Sequence, residues 1–180
     1  MSVYGYLDIE TTGLGPRTSQ LTVLGLYVEE DPGRTYLFQP FGDQISSRAL
    51  RRMLADIDVI YTYNGSRFDL PFIEAKLGIA VEKRCRHRDL MYDCWRQGLR
   101  GGFKAMERSL GIHRRTLDID GWVAVQLWRS FSLYGDRHSL LQLLAYNRED
   151  VVNLSKVRVK LLSLVRQKQT PRSQDGTGGF

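Results

Sequence analysis

The chain has 180 residues, 42% of them hydrophobic, which suits one domain with one continuous core. No run approaches the ~18 consecutive apolar residues of a membrane span, and the opening MSVYGYLDIE lacks a basic stretch followed by an apolar one, so neither a membrane segment nor a secretory leader is expected. With 26 basic and 20 acidic residues the net charge is +6, which suits a polyanionic partner but equally serves solubility alone, and two cysteines, Cys85 and Cys94, match no zinc spacing and build no disulfide framework; these features fit an intracellular protein, cytoplasmic or nucleoid-associated.

Val3 to Ile9 alternates and is rich in aromatic and β-branched residues, which predicts a strand. Leu21 to Glu29 and Arg34 to Phe38 are further strands, joined as a hairpin by Glu30-Asp31-Pro32-Gly33. Ser46 and Ser47 start a helix through Leu54. Asp58 to Tyr63 is a buried strand running into Asn64-Gly65, and Leu70 to Leu77 is a helix that Gly78 stops. Arg84 to Arg88 is an edge strand whose alternating arginines either track phosphates or, the favoured reading, guard it against further pairing. A helix follows over residues 89–97, then an Arg100-Gly101-Gly102 loop and a short helix from Lys104 to Leu110 closed by Gly111. His113-Arg114-Arg115 reads as a solvated loop.

Trp122 to Leu133 is helical, and His138 to Ala145 and Asn147 to Val165 form either one kinked helix or two abutting ones. The tryptophans Trp95, Trp122 and Trp128 are expected in packing roles. From Thr170 the composition is that of a linker, which predicts a domain over residues 1–168 and a disordered tail over 169–180. Three strands followed by strand–helix alternation predict an α/β protein with a mixed sheet flanked by helices.

Three segments carry acids in unusual places. Asp8 and Glu10 are two apart on a strand and project from one face. Asp-x-Glu alone also fits two exposed acids at a strand end. Asp69 closes Tyr63-Asn64-Gly65-Ser66-Arg67-Phe68-Asp69, where it can equally cap the following helix. Asp150 follows Tyr146 by one helical turn amid apolar neighbours, a costly position unless a cation pairs with it, whether a metal or an arginine such as Arg148 or Arg158. Four clustered carboxylates repel one another, and two divalent cations relieve that conflict. All-oxygen ligands select Mg²⁺ or Mn²⁺ over zinc.

Asp8-Ile9-Glu10-Thr11-Thr12-Gly13-Leu14 resembles the first motif of the DnaQ-like (DEDD) 3′→5′ exonucleases of the ribonuclease H-like superfamily. Residues 63–73, from Tyr63 to Ile73, resemble their second motif, closest to the proofreading domains of family B DNA polymerases, and Tyr146-Asn147-Arg148-Glu149-Asp150 resembles the third, Tyr-x-x-x-Asp. The pattern is similar to the YprB-like exonuclease group over about residues 3–165. Ala145 stands where the histidine variant has His, so Tyr146 marks the DEDDy class.

The resemblance implies a ribonuclease H-like sheet of five strands, three antiparallel and then two parallel. It implies an enzyme that hydrolyses phosphodiester bonds at single-stranded DNA or RNA 3′ ends with two divalent metal ions. Asp8 would bridge both ions, Glu10 and Asp150 would complete one site, and Asp69 would hold the second ion through water. Tyr146 would orient the attacking water rather than act as a base. Thr11, Thr12, Gly13 and Leu14 would floor the terminal nucleotide, with Leu14 wedged against the last base. Asn64 would fix the second motif and Phe68 would stack on a base, although a turn Asn and a core Phe fit the same positions. Lys104, near a helix start, is a candidate phosphate contact. Two other readings fit the same fold: a silent module that binds nucleic acid or protein, and an endonuclease. Membrane attachment is not expected.

Overall fold

In a computed structural model that describes residues 2–169, alternation along the first strand divides its side chains between two cores. That strand, β1 (Val3–Thr11), sends Leu7 and Ile9 into one hydrophobic cluster. Tyr6 faces the other cluster, and Asp8 and Glu10 follow it at the period of two that keeps side chains on one face. β2 (Leu21–Glu30) and β3 (Arg34–Phe38) continue antiparallel beside β1, while β4 (Val59–Thr62) and β5 (Arg86–Asp89) add parallel strands on its other side. The sheet order is β3-β2-β1-β4-β5, the five-stranded mixed sheet expected. Its edge strand β5 is shorter than its arginine pattern indicated: Arg84 ends a short 3-10 turn instead, and Arg86 and Arg88 stay exposed on the edge.

Helices α1 (Ser47–Met53) and α2 (Asp69–Leu77) cover the Leu7 face, where Leu50, Leu70, Phe72 and Ile73 are buried against Leu24, Leu26 and Ile60. Ser46 caps α1 by accepting from the Ala49 N–H at 3.1 Å. The opposite face is covered by α3 (Leu90–Arg96), α4 (Phe103–Ser109) and α6 (Arg137–Gln169), with Leu90, Cys94, Met106, Leu154, Val157 and Leu161 around Tyr6 and Tyr61. Between them in sequence, α5 (Gly121–Tyr134) packs Ala124 with Val23 and Leu143. Both cysteines are buried free thiols.

Three expectations change. The two helical stretches before and after Tyr146 are one 33-residue helix, α6, with no interruption. It reaches Gln169, one residue into the segment expected as a tail; the rest of that segment lies outside the described residues. Trp122 is not a packing residue, being 71% exposed at the start of α5, whereas Trp128 does pack beside Phe131, their rings 5.6 Å apart. Among the described residues no helix is long and apolar enough to cross a membrane.

Gly25 on β2 pairs with Asp8 and lies under α6. A Cβ there would collide with the Asn147 side-chain amide, so glycine lets the helix approach the sheet closely. Gly25→Ala is expected to cost about 1–3 kcal/mol, a drop of roughly 3–10 °C in Tm. The same change in an Asn147→Ala background should cost less than half as much; equal costs in both backgrounds would show that the Asn147 amide is not what Gly25 accommodates.

Candidate metal centre

The centre forms where β1 ends beneath α6. Glu10 is the last residue before a bulge: Glu10 pairs with Val23 and Thr11 with Leu21, leaving Thr22 unmatched. A bulge there turns the strand away from its ladder and into the loop that follows. Asp150 descends from α6, and one oxygen each of Asp8, Glu10 and Asp150 lie within 4.8 Å of one another. Glu10 and Asp150 are buried.

Asp69 lies just outside this trio. α2 begins at Asp69 itself, with Phe68 in the cap position and no side-chain cap. The Asp69 carboxylate instead accepts the Ile9 N–H through Oδ1 at 3.1 Å, tying the start of α2 to the strand that carries Asp8 and Glu10. Tyr146 is half-buried one turn before Asp150, and its ring is flanked by the Lys104 ammonium at 5.6 Å and the Arg114 guanidinium at 5.5 Å.

Burial pushes all four carboxyls up, and mutual repulsion adds to it. Asp8 is raised well above the usual carboxylate range by desolvation and then by Asp150, Glu10 and Asp69. Glu10 is raised by desolvation and then Asp150. Desolvation lifts Asp69 to about 7. Asp150 is also lifted by desolvation, but Arg114 opposes this and holds it to about 6. The Tyr146 phenol is raised too, by desolvation and then by Asp150, so it stays protonated at neutral pH.

Two amides and a second carboxylate hold the frame. Asn147 is fully buried and donates from Nδ2 to Asp8 Oδ2 at 2.9 Å. Gln39 fixes that amide by donating to its Oδ1 at 3.0 Å and to the Leu144 carbonyl at 2.8 Å. Asp89, at the cap of α3, accepts from the N–H groups of Asn64 (2.8 Å), Ser66 (3.0 Å) and Met91 (3.1 Å). The turn that delivers Asp69 is therefore pinned to α3. An Asp just before a helix is a cap signal, so its position was readable in the sequence, but its second role was not.

The remaining expected contacts fall in three places. Thr11 donates to the Gly13 carbonyl at 2.8 Å, and the Thr12 hydroxyl accepts from Gln20 N–H at 2.8 Å, so both shape the loop after β1. Leu14 projects from that loop 86% exposed. Asn64 takes a left-handed conformation, φ +62°, at the turn, and Phe68 packs partly on Phe72 with ring centroids 5.8 Å apart. Lys104 lines a cleft of about 530 Å³ with Asp8, Tyr146 and Asp150, and its ammonium donates to the Leu117 carbonyl at 3.2 Å and to that of Ile119.

The loop of His113, Arg114 and Arg115 is not simply solvated. Arg114 is 4% exposed and forms buried ion pairs with Asp150 and with Glu107. The arginine partner of Asp150 is thus Arg114 and neither Arg148 nor Arg158. No periodic pattern marks it, because the partners are 36 residues apart in sequence.

The donor set suits a hard divalent cation. Three carboxylate oxygens converge, and Glu10 Oε1 is buried with no hydrogen-bond partner among the described residues. A buried carboxylate oxygen left unpaired is costly unless a cation meets it.

A family model described as the RNase_H superfamily matches residues 5–162. Among solved structures, the chain resembles the family B DNA polymerase of Pyrobaculum calidifontis at 20% identity and a TM-score of 0.71, covering 93% of this chain and 25% of that one. It thus spans about a quarter of that polymerase. It also resembles Brucella melitensis NrnC bound to pGG (18% identity, TM-score 0.60, 92% of this chain and 74% of that one) and NrnC with bound Mg²⁺ (20% identity, TM-score 0.59, 93% and 76%). At these identities the likeness is one of fold. No curated protein sequence matches the chain.

Raised carboxyl pKa values have a definite sign in stability. For Asp69 and Asp150 the folded state holds the proton more tightly than the unfolded chain, so the stability it contributes is complete below the ordinary value of 3.8 and is lost as pH rises through about 6 and about 7. Asp69→Asn keeps an oxygen acceptor for Ile9 and removes one charge. Without metal it should melt higher than the parent at about pH 8, with the advantage fading by about pH 5. Millimolar Mn²⁺ should raise the parent's Tm and shrink that gap. A gap independent of pH, read by thermal melts, would contradict the assigned direction.

Proposed function

The chain belongs to the RNase_H superfamily, and from that membership we propose that it is a metal-dependent 3′→5′ exonuclease of the DEDDy type acting on single-stranded DNA or RNA. The carrying observation is the convergence of Asp8, Glu10 and Asp150 around a buried, unpartnered Glu10 oxygen. Structural likeness to NrnC, seen with bound Mg²⁺ and bound to pGG, supports the choice of cation and substrate class.

Two divalent cations, Mg²⁺ or Mn²⁺, would neutralise the acids, activate water and stabilise the leaving oxygen of the phosphodiester. Asp8, Glu10 and Asp150 would bind directly through the oxygens that meet within 4.8 Å. Asp69 has Oδ1 committed to Ile9, so it has one oxygen to offer, which suits a contact through water. Asn147 holds Asp8 in its rotamer through Oδ2. Tyr146, kept as a phenol by its surroundings, can donate a hydrogen bond that orients the attacking water. It is not a base.

The cleft gives the strand a path. Lys104 lines it with Tyr146 and the acids, and its charge would meet a phosphate there. Leu14, 86% exposed in the loop after β1, would press on the terminal base. Thr11, Thr12 and Gly13 shape that loop, and Phe68 supports the second motif from the core side. A domain that runs to the end of α6 at Gln169 holds every group named.

The test uses 5′-labelled single-stranded DNA and RNA with Mg²⁺, Mn²⁺ or chelator. A ladder shortening from the 3′ end is expected with either metal and none with chelator. Asp8→Ala and Asp150→Ala should each cut the rate by at least ~10³-fold, since the metals supply most of the transition-state stabilisation. Tight binding without cleavage under either metal would favour a silent module, and internal cuts in a 3′-blocked strand would favour an endonuclease. Leu14→Ala should leave Tm within about 1 °C, as a surface change does. Its effect belongs in a higher KM for short oligonucleotides.

A further inference from the structure

The buried Arg114 makes more contacts than its own neutralisation needs. It sits in the segment between α4 and α5, and all three guanidinium nitrogens are engaged. Nε and Nη2 donate to the two oxygens of Glu107 at 2.7 and 2.9 Å. Nη2 also donates to Asp150 Oδ1, and Nη1 reaches the Thr116 hydroxyl at 3.4 Å.

Its partners are held in turn. Asn153, fully buried, donates to Glu107 at 2.7 Å. Glu149 accepts the N–H groups of Arg115 and Thr116 at 2.7 and 2.9 Å, clamping the segment to α6. The guanidinium also lies 5.9 Å from the Phe103 ring centroid and 5.5 Å from that of Tyr146.

Glu107 alone neutralises Arg114 by a two-point pair, the geometry a guanidinium fork favours. The added contact therefore acts on Asp150. It engages Oδ1 and leaves Oδ2 free for a cation, and the guanidinium backs the Tyr146 ring. We propose that Arg114, oriented by Glu107, is a positioning residue that makes Asp150 a one-oxygen ligand and sets the depth of Tyr146, at the expense of metal affinity. The proposal rests on the metal-dependent reading of the same site.

Loss of the guanidinium releases Oδ1 to bind as well, and takes a positive charge away from the cations. It also frees Asp150 and Tyr146 to shift. Metal binding and turnover should therefore move in opposite directions, which mere structural damage does not produce.

The experiment measures Mn²⁺ affinity by calorimetry, together with kcat and KM on 5′-labelled single-stranded DNA, for the full chain and Arg114→Gln. Removing a charge this close should tighten Mn²⁺ on the order of tenfold. A misplaced ligand should lower kcat about 10²-fold with KM within about threefold. Should the single variant fail to fold because Glu107 is stranded, the Glu107→Gln/Arg114→Gln pair removes that stranded carboxylate along with its partner. There only the freed oxygen acts, so Mn²⁺ should bind at least as tightly as in the parent while kcat falls. Any other combination, parallel loss or no change included, overturns the proposal. A parent protein that binds Mn²⁺ but shortens no nucleic acid would sink the nuclease reading alone. Mn²⁺ affinity then decides, and weaker binding in the variant overturns the role of Arg114.

Discussion

Repulsion among buried carboxylates is the constraint around which this molecule is arranged. Asp8, Glu10 and Asp150 offer oxygens within 4.8 Å of one another, and Asp69 stands close enough to add its field to that of Asp8. Such a group opposes its own assembly, so the surrounding fold must supply the binding energy that holds it. Two cores on either face of one sheet do so. The strand that bears Asp8 and Glu10 is fixed from below by Leu7 and Ile9 and from above by Tyr6, and the helix that bears Asp150 is fixed by Leu154, Val157 and Leu161. Apolar burial of that extent is worth roughly 1.5–3 kcal/mol per large side chain, enough in sum to offset a few unfavourable charges.

The helix α6 turns that energy into geometry. Tyr146, Asn147, Asp150 and Asn153 recur at three- and four-residue spacing along its inner face, and each meets a different part of the site. Tyr146 enters the cleft and Asn147 holds Asp8. Asp150 joins the trio, while Asn153 steadies Glu107. Close approach of this face to the sheet depends on Gly25, directly across β1 from Asp8. A continuous helix suits the task better than two abutting segments, since a break near Tyr146 would uncouple the phenol from the carboxylate one turn later.

What the sequence made legible follows from the range of each signal. The strands themselves and the two carboxylates on one face of β1 are properties of local alternation and could be read directly, whereas the three antiparallel and two parallel pairings came with the resemblance. Asp69 and Asp150 could be placed only through resemblance, because nothing local brings them to β1. The continuity of the long helix was left open because Tyr146-Asn147-Arg148-Glu149 is polar for a core-facing turn. That polarity is itself the mark of the site, since the inward positions carry function in place of core. Arg114 was missed for the opposite reason. In sequence it sits between a histidine and another arginine, the pattern of a solvated turn, and only a fold that brings Glu107 and Asp150 to it makes it a buried charge. Trp122 deceived in the other direction, a large aromatic whose packing role the sequence overstated.

The charge distribution in the centre is asymmetric, and the asymmetry has a chemical meaning. Asp150 is compensated by an arginine of the protein itself, and Asp8 is held by a neutral amide, while one oxygen of Glu10 has no partner among the described residues. A purely structural cluster would be expected to satisfy all three, because an unpaired buried carboxylate oxygen costs more than any net gain from its neighbours. Leaving Glu10 open while fixing Asp8 and Asp150 on either side is the arrangement of a frame built to be completed from outside. Arg114 cannot complete it, being already engaged by Glu107, Asp150 and Thr116. Lys104 is committed to two carbonyls across the cleft. The unpartnered oxygen is thus left for a group that the protein does not itself supply, and beside Asp8 and Asp150 a divalent cation would suit it.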